Sequence, residues 1–204
     1  MSHCTVMVAT SVRPTDALIE EIMEPFEGEV WDWYVVGGRW TGFLRLRPGA
    51  EGVRGEPWVM NRQPQPGTAD QARKCDIDWE GMVAQAKAEA RFLHRKIVEA
   101  REGRALDDRA LEADLLLRGL LPPFTLVRNF FVEDEDEFVR LAGWTPFTPH
   151  GFVEGIDGEG CRYITSGFGF GSHIAQSEEW VTTFRGWLDS LPEDCWLTIL
   201  DCHY

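Results

Sequence analysis

The sequence predicts an α+β fold, an antiparallel sheet packed by helices. Two observations carry this. Strand patterns sit at both ends of the chain, around Cys4–Ala9 and Trp196–His203, and strong amphipathic helix patterns lie between them. The order of elements is strand-helix-strand, a helical insertion, then strand-strand-helix-strand, which is compatible with a ferredoxin-like plan carrying an insertion. The 204 residues suit a single domain, 1–204, with the helical insertion at about 73–121.

Each element has its own signal. Cys4, Val6 and Val8 alternate with Thr5, Met7 and Ala9, as in a strand. A helix follows Pro14, which suits a first turn; Leu18, Ile19, Ile22, Met23 and Phe26 share one face, and Gly28 ends it. Thr41–Arg47 reads as a strand, with Phe43, or Leu44 and Leu46, facing inward. Residues 48–72, rich in Gly, Pro, Gln and Asn, read as a long loop with one short strand at Trp58–Met60. Asp78 caps a long helix whose face is Trp79, Met82, Val83, Ala86, Ala90, Leu93 and Ile97. Gly103 breaks it, a second helix is expected over 108–118, and a strand over 124–132. Glu133–Glu137 is a run of five acids, read as a helix's first turn complementing its dipole. Phe152–Gly155 and Cys161–Thr165 form a hairpin. Trp180, Phe184, Trp187, Leu188 and Leu191 are the buried stripe of the last helix, and Trp196–His203 is the final strand.

Composition excludes several classes. The formal net charge is −14, so direct binding to a phosphate backbone is disfavoured. The charge serves solubility or, alternatively, imitates nucleic acid towards a protein that grips it. No apolar run approaches the ~20 residues of a membrane span, and the N-terminus lacks a secretion signal. Five scattered cysteines without a CxxC read as reduced thiols, so a cytoplasmic setting is expected. The phosphate-loop, zinc-protease, nucleophile-elbow and deaminase signatures are missing.

A ferredoxin-like order brings His3 and Cys4 beside Cys202 and His203. These are zinc-ligand types, but neighbours on a strand point to opposite faces, so at most two of the four converge. No metal, cofactor or catalytic set is therefore assigned. Asp201 and His203 share a face and can form a polar pair.

Trp31–Trp40 is the most unusual stretch. Gly37-Gly38 permits a tight turn or a close approach to a ligand, Arg39 offers a planar fork for phosphate or carboxylate, and Trp33, Tyr34 and Trp40 can stack on a base. The alternative is a bulge beside core aromatics. Gly167-Phe168-Gly169-Phe170-Gly171 is not a dinucleotide fingerprint, yet its backbone N–H groups can meet an anion near a helix start.

The segment Trp31-Asp32-Trp33-Tyr34-Val35-Val36-Gly37-Gly38-Arg39-Trp40-Thr41-Gly42, with Asp76-Ile77-Asp78-Trp79 and the closing Leu197–Tyr204, resembles a family of phage and prophage accessory proteins. The resemblance implies a setting, a bacterial host cell, rather than a mechanism. Where that family tends to carry a tryptophan-containing glycine stretch before the last helix, this chain has Phe168 and Phe170. The motif is polar and aromatic, which points to Trp33, Tyr34, Gly37, Gly38, Arg39 and Trp40 as a pocket, with Phe168, Phe170, Asp201 and His203 as further candidates.

Three functions follow. The first is a non-enzymatic accessory protein that binds a small nucleotide-like ligand and sequesters a host immune signal. The second is an acidic inhibitor that binds a host nucleic-acid enzyme. The third is a nucleotide or phosphate-ester hydrolase using His203 or His173 as acid or base. The nine tryptophans also suit a homo-oligomer interface.

Overall fold

The structure is a computed structural model that describes residues 3–28, 31–55, 65–101, 133–155, 162–165 and 178–203. It is α+β, with a mixed, largely antiparallel sheet packed by helices. The chain divides into two compact units. The first comprises Met1–Trp79, Pro149–Ala175 and Thr182–Tyr204; the second comprises Glu80–Thr148 and Gln176–Val181. Among the described residues, no helix is long and apolar enough to cross a membrane.

The first unit is built on β1 (His3–Thr10) and β9 (Trp196–His203), antiparallel and in register from His3 opposite His203 to Thr10 opposite Trp196. This is the adjacency of first and last strands that the ferredoxin-like order implied. β1 also pairs in parallel with β7 (Gly151–Glu154), which forms a hairpin with β8 (Arg162–Thr165). On the other side of β9 lie β2 (Trp33–Val36), β6 (Gln71–Arg73) and, beyond it, β4 (Gly52–Val53). A separate pair joins β3 (Leu44–Arg45) to β5 (Thr68–Ala69). The seven-stranded sheet exceeds the four-stranded ferredoxin-like plan.

The region 48–72 is therefore not one long loop, because β4, β5 and the start of β6 fall within it. Strands of two or three residues are too short to show alternation; β6 exists because β9 offers its edge, as where Gln71 pairs with Thr198, while β4 adds to β6 and β5 pairs with β3. The expected strand at Thr41–Arg47 shrinks to β3 for want of a longer partner. The expectations at Trp58–Met60, 108–118 and 124–132, and at Cys161, Phe168, Phe170 and His173, lie outside the described residues.

Strand alternation sorts the core into two faces. On one face, Cys4, Val6, Val8, Leu200, Cys202 and Val153 pack with Ile19, Ile22 and Met23 of α1 (Asp16–Met23). Each such fully buried apolar side chain stabilises by roughly 1.5–3 kcal/mol. Thr15 caps α1 by accepting the Leu18 N–H at 3.2 Å, so Pro14 precedes the cap rather than sitting in the first turn. Pro25 has no N–H to continue the α pattern, and the helix tightens to a 3-10 turn over Glu24–Phe26. On the opposite face, Phe152 stacks on Trp187 and packs against Phe184, both from α4 (Glu178–Ser190).

In the second unit, α2 (Trp79–Arg101) buries Met82, Ala86, Ala90, Leu93 and Ile97, as the pattern predicts. Asp134 caps α3 (Glu135–Ala142), accepting the Glu137 N–H at 2.8 Å. The acid run is thus a cap and first turn, its negative charge facing the helix's positive end.

Candidate functional site

The Trp31–Trp40 motif is a short strand followed by a turn, and two buried carboxylates explain its glycines. Gly37 and Gly38 have φ of 78° and 51°, a region that favours glycine. A Cβ on Gly37 would lie 2.6 Å from Asp70 Oδ2, and one on Gly38 would lie 2.5 Å from Asp201 Cβ. Both aspartates are fully buried. Asp70 accepts from Thr41 Oγ1 at 3.0 Å, the Gly42 N–H at 2.6 Å and the Gly55 N–H at 2.8 Å. Asp201 accepts the Arg39 N–H at 2.9 Å and His3 Nδ1–H at 2.7 Å. Multiple donors are what make such burial tolerable.

Odd-numbered residues of β9 direct their main chain towards β2 and β6: the Gly37 N–H donates to Ile199 O, the Asp32 N–H to His203 O, and the Ile199 N–H to Asp70 O. Towards β1 these positions are therefore the close, non-hydrogen-bonded pairs. His3 and His203 form one such pair, with rings 5.1 Å apart and edge to face. Trp33, opposite His203 on β2, stacks on it at 5.2 Å with 12° between planes; His3 stands edge-on to Trp33 at 5.5 Å. His203 Nδ1–H donates to Asp32 Oδ1 at 2.5 Å, while its Nε2 is buried without a partner among the described residues.

Cys4 and Cys202 are opposite each other one residue along, so they project to the other face. The four terminal ligand types thus split two and two. Among the described residues no group of three or more His, Cys, Asp or Glu is placed to hold a metal ion. Neither thiol shares a face with the imidazoles, which rules out a cysteine–histidine pair there. The Cys202 thiol is pushed well above its ordinary range by burial, then by its neighbour Cys4. Four of the five cysteines, Cys4, Cys75, Cys195 and Cys202, are free.

A cavity of about 590 Å³ opens between α1 and the start of β2. Its lining includes five carboxylates (Glu20, Glu21, Glu24, Glu27, Asp32), three aromatic side chains (Trp31, Trp33, Tyr34), Met23 and Ala17. None of these is basic. Met23 and Trp31 are buried and the carboxylates are exposed, giving an apolar floor with an anionic rim. The Tyr34 phenol is held above its ordinary value first by burial and next by Glu20, Cys202 and Glu27, so the negative field reaches the floor. Glu20, Glu24 and Glu27 recur at helical spacing with no base in α1's last turn. Like charges four apart and acids at a helix C-terminus both oppose folding.

Of the residues singled out from sequence, the structure places Trp33 and Tyr34 in this lining. Gly37 and Gly38 are buried turn positions, Arg39 is exposed, and Trp40 lies edge-on to His150 at 6.4 Å. Asp201 and His203 lie on the sheet face behind Trp33 rather than in the lining. Sequence reasoning missed the glutamates of α1 and Asp32. The one signal, an acid stripe unbalanced by bases ahead of an aromatic strand, is also that of an ordinary solvated helix face. Comparisons of the chain with protein-family models, curated proteins and solved structures find no match.

Proposed function

We propose that this chain is an accessory protein that acts by binding, and that its α1–β2 cavity takes a basic, Arg- or Lys-bearing segment of a protein partner. The observation that carries this reading is a lining of five carboxylates and three aromatic rings with no base among them. A long basic side chain has an apolar stem for the accessible rings of Trp33 and Tyr34 and a charged head for the rim. Its cation gains roughly 0.5–2 kcal/mol over an aromatic face. Single exposed ion pairs add about 0–1 kcal/mol each, so useful affinity needs several basic residues at once. Enzymes that grip nucleic acid carry such segments, and the resemblance to phage accessory proteins supplies a setting in which blocking one is useful.

A phosphate entering this cavity would meet like charge. A nucleotide-like ligand is better served elsewhere on the motif, where Arg39 is exposed. That is the second reading. Titration with a poly-arginine peptide and with a nucleotide panel, at low and high salt, separates the two. The first reading expects peptide binding that weakens with salt and is lost in Glu20→Gln/Glu24→Gln/Glu27→Gln. Nucleotide binding abolished by Arg39→Ala, with no peptide binding, would replace it with the second.

A further inference from the structure

We infer that His203 is the positioning residue of the cavity, holding Asp32 and Trp33 in place from behind. This rests on the cation-binding reading. Asp32 and Trp33 supply a carboxylate and an aromatic face to the same lining, and one imidazole fixes both. Its Nδ1–H donates to Asp32 Oδ1 at 2.5 Å, and its ring lies nearly parallel to the Trp33 indole, 12° between planes. Asp32 needs such an anchor: its side chain is 61% exposed, and an unanchored carboxylate there would sample several rotamers.

The holder is itself held. His203 is buried, with only 9% of its surface exposed. His3 stands edge-on against both His203 and Trp33, and His3 Nδ1–H is fixed by the fully buried Asp201. Asp201 in turn accepts the Arg39 N–H of the glycine turn. The resulting order runs from a rigid buried carboxylate, through two imidazoles, to two side chains of the cavity lining. Pre-ordering contact groups lowers the entropy lost on binding, which is the effect assigned to His203.

Two substitutions separate its contacts. His203→Asn keeps an N–H for Asp32 and loses the ring; His203→Phe keeps a ring for Trp33 and loses the N–H; His203→Ala loses both. The probe is a poly-arginine peptide, and the second readout, made without peptide, is the order parameter of the Trp33 indole N–H. His203→Ala, checked as folded by its thermal transition, is expected to bind about tenfold more weakly, with a lower Trp33 order parameter. His203→Phe restores the order parameter and His203→Asn restores part of the affinity. Wild-type affinity together with an unchanged order parameter in folded His203→Ala overturns the assignment. If the wild type binds no peptide while the order parameter still falls, the cation reading fails and the positioning role stands.

Discussion

The backbone of Gly38 packs against the side chain of Asp201 so closely that a Cβ at position 38 would sit 2.5 Å from Asp201 Cβ and 2.6 Å from its Oδ2. The glycine is thus required twice, by its φ of 51° and by a buried carboxylate. Gly49 provides the control, with φ of 81° and nothing within 4 Å of where an alanine's Cβ would stand. Gly49→Ala should cost about 1 kcal/mol, the backbone part alone, whereas Gly38→Ala should cost about 3 kcal/mol or more. Urea denaturation of the two variants checks the difference.

Acids on α1 are expected to weaken the fold while serving the cavity. Glu24 begins the 3-10 turn that follows α1, four residues after Glu20. Glu24→Gln should therefore raise stability by about 0.3–1 kcal/mol while reducing peptide affinity. Thermal melts and binding titrations on one preparation test whether the two effects run in opposite directions.

His150 gives the fold a pH dependence of known sign. Its Nδ1 accepts the Thr5 N–H at 3.1 Å, and burial holds its pKa below the ordinary value of 6.5. The unfolded chain then takes up a proton that the native chain resists. Stability from this site is full above pH 6.5 and is lost as pH falls through the native value. In His150→Asn, whose side-chain oxygen can accept the same N–H, the slope of stability with pH below 6.5 should flatten relative to the wild type.

Thiol chemistry should follow burial. Cys75 is half-buried, while Cys4, Cys195 and Cys202 are buried, and desolvation pushes the Cys195 thiol up to about 11. Native alkylation near pH 8 should modify Cys75 at least about tenfold faster than those three, as read by peptide mass mapping.

Much of the architecture was legible in the sequence because long elements carry periodic patterns. β1, β9, α1 and α4 each show one, and the pairing of His3 with His203 and Cys4 with Cys202 followed from topology and strand alternation. The strands β4, β5 and β6 were not legible, since two or three residues cannot display a period and their pairing is set by distant partners. For the site, Gly37-Gly38 reads as a tight turn or as a close approach to a ligand, and the tight turn is what forms. The space above them is taken by Asp70 and Asp201, carboxylates from far along the chain. Trp33 and Tyr34 were legible as cavity side chains because the Trp31–Trp40 motif is more polar and aromatic than a plain core element. The glutamates opposite them were not, because an acidic helix face ordinarily signals only solvent.

Entry of a cationic segment into the cavity between α1 and β2 is open to direct observation. The most direct measurement is a nitrogen–proton correlation spectrum of the full chain titrated with poly-arginine peptide. Binding in the cavity should give salt-sensitive shifts centred on Glu20, Glu24, Trp33 and Tyr34, abolished in Glu20→Gln/Glu24→Gln/Glu27→Gln. Shifts absent from these residues, or unchanged in that variant, would contradict it.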